Sequence, residues 1–283
     1  MVEKRTLLFN EELHKYTLDG MPCTSVTQKI ELVSPKFDTE YWAKYKAKQL
    51  GTSPELIKQD WKDITDYACD RGNKIHKELE DSINIANDVS EYKSKPKEWS
   101  FSLEKYDKTN LHILANTPLA EKYPKIYQYL RIKIEDGWTL FAEKKVYWWE
   151  YLIAGTIDCL LTKGKFFIIV DWKTNKDILM FKSGYYKKVQ GIKTNDWVDK
   201  KEYMLAPLGH LEHCKGIKYT LQLSLYAHLV ELWGLTCVGL VLFHIRNEEE
   251  PKLYEIKYLQ HAAEILGNFK PNTINLTKFG INK

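Results

Sequence analysis

The chain has 283 residues, of which 44% are hydrophobic and 28% are charged, the composition of an ordinary globular protein. Its 42 Lys and Arg residues against 38 Asp and Glu residues give a formal net charge of +4, which excludes a uniformly basic nucleic-acid-binding protein. The longest uncharged apolar stretch, 232–243, is shorter than the roughly 20 residues of a membrane span, and no hydrophobic signal region is visible at the start. We therefore expect a cytoplasmic protein without a membrane segment.

The five cysteines are odd in number and widely scattered, and no two of them form a CxxC pair. This usage predicts reduced, structural cysteines and no iron–sulfur cluster. The HLEHC segment contains His210, His213 and Cys214, but no fourth ligand follows at a suitable spacing, so we expect no structural zinc.

The predicted elements begin with two short strands within 5–19, separated by a polar turn at 10–12 and followed by an Asp19-Gly20 turn. Apolar spacing predicts helices over 38–50 and 60–85. The polar stretch 87–118 is typical of a surface connection, and a further helix is predicted over 124–135.

Strands are predicted over 138–149, 152–161 and 165–173, and an almost wholly apolar helix over 218–233. Two more strands, 236–246 and 252–258, flank an acidic NEEEP turn and precede a last helix. This order favours an α/β sheet sandwich. We expect one domain over 1–283, with an N-terminal hairpin and helical section at 1–136, an α/β core at 137–269 and a tail at 270–283.

Ionisable residues concentrate in the segment GTIDCLLTKGKFFIIVDWKT. A two-residue turn at 163–164 would place Asp158 opposite Ile169. Because side chains alternate along a strand, Asp171 and Lys173 share the face of Ile169, and Asp158 joins them as a diagonal neighbour of Asp171. A three-residue loop would instead separate the two carboxylates.

Two carboxylates at that separation resist joint ionisation unless a cation lies between them, and oxygen ligands suit Mg²⁺ or Mn²⁺. The backbone carbonyl of Trp172 could add another oxygen, and Lys173 could hold an attacking water or stabilise charge developing on a phosphate. The alternative is a cross-strand salt bridge on a solvated face. Against it stands the position of the groups at the end of FFIIV, a run typical of a buried strand.

The order of GTID, a short hairpin and an apolar strand ending in DWKT resembles the PD-(D/E)XK nuclease superfamily, with Asp158, Asp171 and Lys173 at its two carboxylates and lysine. Flanking segments resemble the RecB-like branch. RGNKIHKELE is similar to its RG-x-x-x-H-x-x-x-E motif, YTLQLSLYAHL is similar to its Q-x-x-x-Y helix, and HKYTLDGMPCTSVTQKI is similar to the opening of phage and bacterial members. The matched positions in the two flanking motifs are Arg71, Gly72, His76, Glu80, Gln222 and Tyr226.

The resemblance implies a restriction-endonuclease-like fold, a mixed central sheet flanked by helices. It also implies that His76 contributes to metal binding and that Glu80, one turn away, supports it. Gln222 and Tyr226, adjacent on one helix face, would approach DNA or orient the lysine. The alternatives are a core histidine at position 76, which lies on an apolar stripe, and ordinary burial of Tyr226.

Glu143 lies on the strand before GTID, where the family commonly has a glutamate near the site, and it is a secondary candidate. The resulting hypothesis is a Mg²⁺- or Mn²⁺-dependent deoxyribonuclease, exonucleolytic by resemblance. By the same resemblance it would act in replication, recombination or repair, and a phage is one candidate source of the protein. Single- or double-stranded DNA is the expected partner, beside a homo-oligomer or a recombination or replication protein. The alternatives are an inactive nucleic-acid-binding module on a nuclease fold and a structure-specific endonuclease.

The small positive charge is local. Between 182 and 218 there are eight lysines against four acidic residues, which accounts for the whole formal excess. We expect this segment to contact the phosphate backbone, the alternative being an ordinary solvated loop. The lysines named for this contact are Lys187, Lys188, Lys200 and Lys201.

Overall fold

The computed structural model describes residues 5–10, 13, 15–87, 109–176, 180–189, 192–246 and 249–270. Its helices, in chain order, are α1 (Val26–Leu32), α2 (Thr39–Leu50), α3 (Pro54–Ala86), α4 (Leu111–Leu114), α5 (Pro118–Lys122), α6 (Pro124–Glu135), α7 (Lys215–Glu231) and α8 (Gln260–Asn268). Its strands are β1 (Leu7–Asn10), β2 (Lys15–Leu18), β3 (Met21–Ser25), β4 (Thr139–Trp148), β5 (Ile153–Lys163), β6 (Phe166–Lys173), β7 (Gly184–Val189), β8 (Ile192–Asp199), β9 (Thr236–His244) and β10 (Lys252–Glu255).

Eight strands form one mixed sheet in the order β1-β2-β3-β5-β6-β9-β10, with β4 pairing along β5. The β3–β5 and β6–β9 pairs are parallel and the others antiparallel. Helix α7 lies in the connection between the parallel strands β6 and β9, as a parallel pair requires a crossover. The chain is therefore an α/β protein with a mixed central sheet flanked by helices, as expected.

Helices cover both faces of the sheet, and the side chains of β6 alternate between them. Phe167 and Ile169 pack in a core with α1, α7 and α8, which we call the α7 side. Ile168, Val170 and Trp172 pack in a second core with α3 to α6, which we call the α3 side. The two-residue period of this buried strand thus assigns Asp171 and Lys173 to the α7 side.

Strong local patterns predicted several elements closely. Helix α2 starts at Thr39 with Asp38 as its N-cap, whose side chain accepts the Tyr41 N–H at 2.9 Å. Helix α6 matches its predicted bounds. Helix α3 begins earlier than expected, at Pro54 after the Ser53 cap, because Pro at the first helical position lacks only an N–H that would be unpaired there.

The predicted N-terminal hairpin is extended by β3 and α1, to which the sequence analysis assigned no element. Because β3 pairs in parallel with β5, this section belongs to the central sheet. The segment 182–218 contains the two-stranded sheet β7–β8, and the predicted surface connection contains α4 and the start of α5. Residues 88–108 of that connection, 247–248 of the NEEEP turn and 271–283 of the tail lie outside the described residues.

The predicted turn of the β5–β6 hairpin was wrong by one residue. Lys163 pairs with Phe166, so the turn is Gly164-Lys165, and Gly164 has a φ of 59° that a glycine adopts without strain. Thr162 therefore pairs with Phe167 and not with Lys165. The register moves by two positions in total, and the ladder ends at the Cys159–Val170 pair, so Asp158 lies outside the paired residues and is not a diagonal neighbour of Asp171 within them.

Among the described helices, none combines the length and apolar character that crossing a membrane requires. All five cysteines are free, and Cys159 is fully buried in the α3-side core.

Candidate metal centre

The candidate site lies at a fork in the sheet. On one edge of β5, the pairs with β3 end at Ala154 and the pairs with β6 begin at Cys159. Within the described chain, residues 155–158 of the GTID segment therefore pair with no strand on that edge. In place of a ladder bond, the Asp158 carboxylate accepts the Trp172 N–H at 2.8 Å. The splayed strands leave room between β5 and β6 for side chains from both helical layers.

Side-chain alternation breaks at this fork. Ile157 packs on the α7 side, whereas Cys159, two residues later, packs on the α3 side. Across β4, the residue between the Ala142–Cys159 and Lys144–Ile157 pairs is Glu143, whose φ of 47° is left-handed. A non-glycine residue held there costs about 1–3 kcal/mol, a strain that clusters at functional sites. Glu143 and Asp158 thus occupy the irregular position of two neighbouring strands.

Three candidate ligands converge there. His76 Nδ1 lies 3.6 Å from Asp158 Oδ1, and His76, Glu143 and Asp158 each offer one ligand atom within 4.8 Å of the others. All three side chains are half-buried. The structure brings together two of the predicted ligands, His76 and Asp158. It adds Glu143, which the sequence analysis treated as secondary, while Asp171 lies outside this group of three.

Asp171 is buried beside the group, with 2% of its surface exposed. Lys173 Nζ donates a hydrogen bond to its Oδ1 at 3.1 Å and lies 2.8 Å from Oδ2, yet no described group donates a well-aligned hydrogen bond to Oδ2. The pKa of the Asp171 carboxyl is raised to about 6, mainly by burial. The Asp158 carboxylate also raises this pKa, and the Lys173 ammonium lowers it. A proton and a divalent metal ion would therefore compete for the oxygens of this carboxyl.

Lys173 is held as a cation. Burial lowers its pKa, but the Asp171 and Asp158 carboxylates outweigh that effect and leave the pKa of the ammonium raised. Its Nζ also lies 4.9 Å from the centroid of the Tyr219 ring. At neutral pH this side chain can donate hydrogen bonds and attract an anion, and it cannot act as a base.

One face of α7 points into the fork. The Tyr226 ring is buried and hydrogen-bonded to the Gln222 side chain, and burial raises its pKa well above the ordinary value. A Cβ on Gly155 would lie 2.5 Å from Tyr226 Cε1, so only glycine allows β5 and this ring to approach so closely. Gln222 is half-buried, whereas its neighbours at 220–221 and 223–227 are buried.

On the other side, Arg71 anchors α3 to the sheet. Its guanidinium donates to the carbonyls of Thr174 and Ile245, which follow β6 and β9. A Cβ on Gly72 would lie 3.0 Å from Thr174 Oγ1. The described partner of Glu80 is Lys77, at 3.2 Å. The RG motif thus docks the helix that presents His76.

The four predicted phosphate contacts lie around the β7–β8 sheet. Lys187 and Lys200 are exposed, and Lys200 Nζ is 3.7 Å from Glu202. The Lys201 N–H is capped by Asp199 at 2.8 Å. The Lys188 side chain lies outside the described residues. Their contact with phosphate stays a prediction.

Sequence reasoning missed two tyrosines at the site. Tyr219 precedes Gln222 by three residues and Tyr226 by seven, the spacing of a single helix face, so this periodicity could have identified it. Tyr219 hydroxyl donates to Asn175 Oδ1 at 3.2 Å, just after β6. Tyr16 hydroxyl and Thr156 Oγ1 lie 2.9 Å apart within the fork, a contact between β2 and β5 that no local pattern predicts.

No family model and no curated protein matches the chain. Inference of function therefore depends mainly on the geometry of this site.

Proposed function

We propose that the protein is a divalent-metal-dependent nuclease that hydrolyses phosphodiester bonds in DNA. The observation that carries the proposal is the convergence of His76, Glu143 and Asp158 at the sheet fork, beside the buried pair of Asp171 and Lys173. Burying a cluster of ionisable groups costs stability, and such clusters occur preferentially at functional sites. The motif order of the PD-(D/E)XK superfamily matches the same residues.

The residues present fit a hard divalent cation. The buried Asp171 carboxylate lies beside the three candidate ligands, with the Lys173 ammonium 2.8 Å from its Oδ2. Carboxylate oxygens suit Mg²⁺ and Mn²⁺, and one imidazole is compatible with Mn²⁺. His76, Asp158, Asp171 and Glu143 would hold the ion, with the Trp172 carbonyl as a further oxygen. When bound, such an ion polarises a phosphate oxygen and acidifies a water molecule.

Lys173 would act as a fixed cation. Because its ammonium stays protonated beside Asp171, it would donate a hydrogen bond to the attacking water or to a non-bridging phosphate oxygen. Negative charge develops on those oxygens during phosphodiester hydrolysis, so a preorganised cation stabilises the transition state. No covalent intermediate is required.

Helix α7 would orient this lysine. Tyr219 lies under the ammonium, and Gln222 is hydrogen-bonded to the buried Tyr226, whose ring packs against Gly155. These contacts limit the rotamers open to Lys173 and to the GTID segment. Gln222, being half-buried, also has an amide that could meet the DNA backbone.

The fold supports the same proposal at a coarser level. The antiparallel β4–β5–β6 section, the α7 crossover and the parallel strand β9 are the arrangement we associate with a restriction-endonuclease-like core. Fold alone does not determine activity, so the argument rests on the site. The family resemblance supports an exonuclease that acts in replication, recombination or repair, with a phage as one candidate source.

The experiment is a cleavage assay on linear, nicked and closed-circular duplexes and on single strands, with Mg²⁺, Mn²⁺ or a chelator. We expect metal-dependent cleavage by the wild type and its loss in Asp158→Asn. Degradation of linear but not closed-circular DNA would establish an exonuclease, and cutting of branched or closed DNA a structure-specific endonuclease. Binding without cleavage under any metal would contradict the proposal in favour of an inactive binding module.

A further inference from the structure

Helix α2 presents an aromatic surface to solvent. Phe37, which precedes the helix, is 64% exposed, and Tyr41, Trp42 and Tyr45 are 57%, 43% and 48% exposed. We call Tyr41, Trp42 and Tyr45 together with Phe37 the α2 aromatic face. Large aromatic side chains are usually at least half-buried, and four exposed within nine residues need a reason.

The face lies outside the main cores, and one of its rings, Phe37, meets Trp61 of α3 edge to face with the centroids 5.9 Å apart. The opposite side of α2 carries Ala43 and Ala47, which pack with Ile57 and Trp61 of α3 in a small cluster of their own. The packing of these two alanines on α3 positions α2, while Tyr41 and Tyr45, one turn apart, project away from this contact. The rings are thus available to a ligand.

The rings order one another. Tyr41 and Tyr45 lie near-parallel, with an interplanar angle of 10° and centroids 6.5 Å apart, and Phe37 and Trp42 lie at 7° and 6.4 Å. Trp42 meets both Tyr41 and Tyr45 edge to face. Mutual contacts of this kind restrict the rotamers of exposed side chains, so less entropy is lost when a flat ligand stacks on them.

Lysines are interleaved with the rings. Lys44 and Lys48 are exposed and continue the face at helical spacing from Tyr41, three and seven residues on. Among the described residues neither takes part in an ion pair, whereas Glu40 on the same helix is paired with Lys58 at 3.0 Å. The face therefore combines π surfaces with uncompensated positive charge.

We propose that the α2 aromatic face binds single-stranded nucleic acid, with bases stacked on the rings and phosphates near Lys44 and Lys48. This pairing of stacking platforms with cations is what single strands require, since every base has a π face and every nucleotide a charge. A two-fold contact with a second copy would place the same lysine-bearing face on both sides of the interface, and this like charge disfavours self-association.

The face and the candidate metal centre share one rigid element. Helix α3 packs on α2 through Trp61 and presents His76 fifteen residues later, which is about 22 Å along the helix axis. The inference rests on the proposed function, because it assigns this face to holding one strand of the nuclease's substrate while the fork acts on it.

The test is fluorescence anisotropy of a labelled oligothymidylate of about 20 nucleotides, longer than most single-module site sizes, with the full chain in chelator so that no cleavage intervenes. Tyr41→Ala/Tyr45→Ala should weaken binding by about 5-fold to 100-fold for each base that loses its platform. Tyr41→Phe/Tyr45→Phe, which keeps the rings, should bind as the wild type does. The matched control is Phe166→Ala, which removes an exposed ring at the end of β6 away from Asp171.

Equal affinity of the alanine pair and the wild type would overturn the inference, as would self-association that is lost in the alanine pair while oligothymidylate binding is unchanged. Because binding is measured without metal, the two proposals can fail separately. Oligothymidylate binding through this face without metal-dependent cleavage would contradict only the nuclease proposal. Cleavage without a role for Tyr41 and Tyr45 would contradict only this one.

Discussion

At the scale of single residues, the main feature of the candidate metal centre is the buried carboxyl of Asp171, whose pKa is raised. Asp171 lies in the sheet, close to the Asp158 carboxylate and to the Lys173 ammonium. Burial disfavours its ionised form in the metal-free protein. A metal ion that binds the carboxyl oxygens must therefore compete with a proton. Both protein stability and metal affinity should therefore depend on pH.

We predict that the Asp171 carboxyl makes the metal-free protein lose stability as pH rises. Its folded pKa, about 6, is above the ordinary value of 3.8, so its stabilising contribution is complete below about pH 4 and is lost as pH rises through 6. Asp171→Asn removes this titration. The melting temperature of that variant relative to wild type, measured in chelator, should rise between pH 4 and pH 7. A difference that is constant with pH would contradict the assignment.

A second residue-scale prediction concerns Glu143. Its place beside Asp158 and His76 makes it a ligand candidate. Its carboxylate adds negative charge to a site that already contains the carboxylates of Asp158 and Asp171. Glu143→Gln should weaken Mn²⁺ binding by about 10-fold or more, as loss of groups around metal sites does. Titration calorimetry measures this. The control is Glu135→Gln, on an exposed carboxylate paired with Arg131, and equal Mn²⁺ affinity of both variants would remove Glu143 from the ligand set.

Sequence patterns identified most residues of the candidate site, but not the way in which the structure groups them. Asp158, Asp171, Lys173 and His76 were all expected, because motif order and strand period are local properties. Glu143 could not be ranked, since its position depends on a left-handed residue inside a strand, which no pattern in TLFAEKKVYW announces. The break in alternation at Asp158 has the same origin.

At the scale of elements, α7 meets β5 at the fork through Tyr226 and Gly155. The Tyr226 ring occupies the space that any side chain at position 155 would need. This contact couples the Q-x-x-x-Y helix to the GTID segment, two regions that are distant in the sequence. It explains why a buried tyrosine and a glycine occur together at the site.

We predict that Gly155→Ala destabilises the protein. A Cβ 2.5 Å from Tyr226 Cε1 forces the ring or the strand to move, and overpacking of this kind typically costs about 1–3 kcal/mol. Urea unfolding measures the change. The control is Gly239→Ala in β9, where a Cβ would make ordinary contacts at 3.5 Å. Equal stability of the two variants would mean that Tyr226 does not restrict β5.

The elements themselves were predictable where local rules are strong. Helix α2 followed from periodicity and its Asp38 cap, and helix α6 and the core strands β4, β5, β6 and β9 followed from periodicity. The parallel pairing of β3 with β5 did not, because the two strands are more than 120 residues apart and such pairing leaves no local pattern. The β7–β8 sheet was missed because its polar, lysine-rich sequence resembles a solvated loop.

At the scale of the whole molecule, positive charge and acidic ligands are separated. The excess of lysine falls in 182–218, which includes β7 and β8, whereas the carboxylates of the candidate centre lie at the fork. Composition alone suggested a nearly neutral protein. A nearly neutral chain can still bind DNA if the charges are distributed in this way.

We predict that replacing Lys187, Lys188, Lys200 and Lys201 by Gln reduces the salt dependence of duplex binding. Each phosphate contact contributes about 0.9 to the slope of log K against log salt concentration, so the slope should fall by up to about 3 to 4. The matched control replaces four other lysines by Gln, namely Lys125 and Lys133 on α6 and Lys163 and Lys165 at the β5–β6 turn. An unchanged slope in the first variant would assign 182–218 to an ordinary solvated surface.

The central claim, that this fork is a metal-dependent phosphodiesterase site, is tested most directly by single-turnover cleavage of labelled linear DNA in Mn²⁺ by wild type, Lys173→Ala and Lys163→Ala. Lys163 is the matched lysine, at the far end of the hairpin and paired with Asp136 at 2.9 Å. We expect Lys173→Ala to slow cleavage by about 100-fold or more, as loss of a transition-state donor does, while Lys163→Ala and wild type cleave at equal rates. Cleavage by Lys173→Ala at the wild-type rate, or cleavage that continues in chelator, would contradict the account.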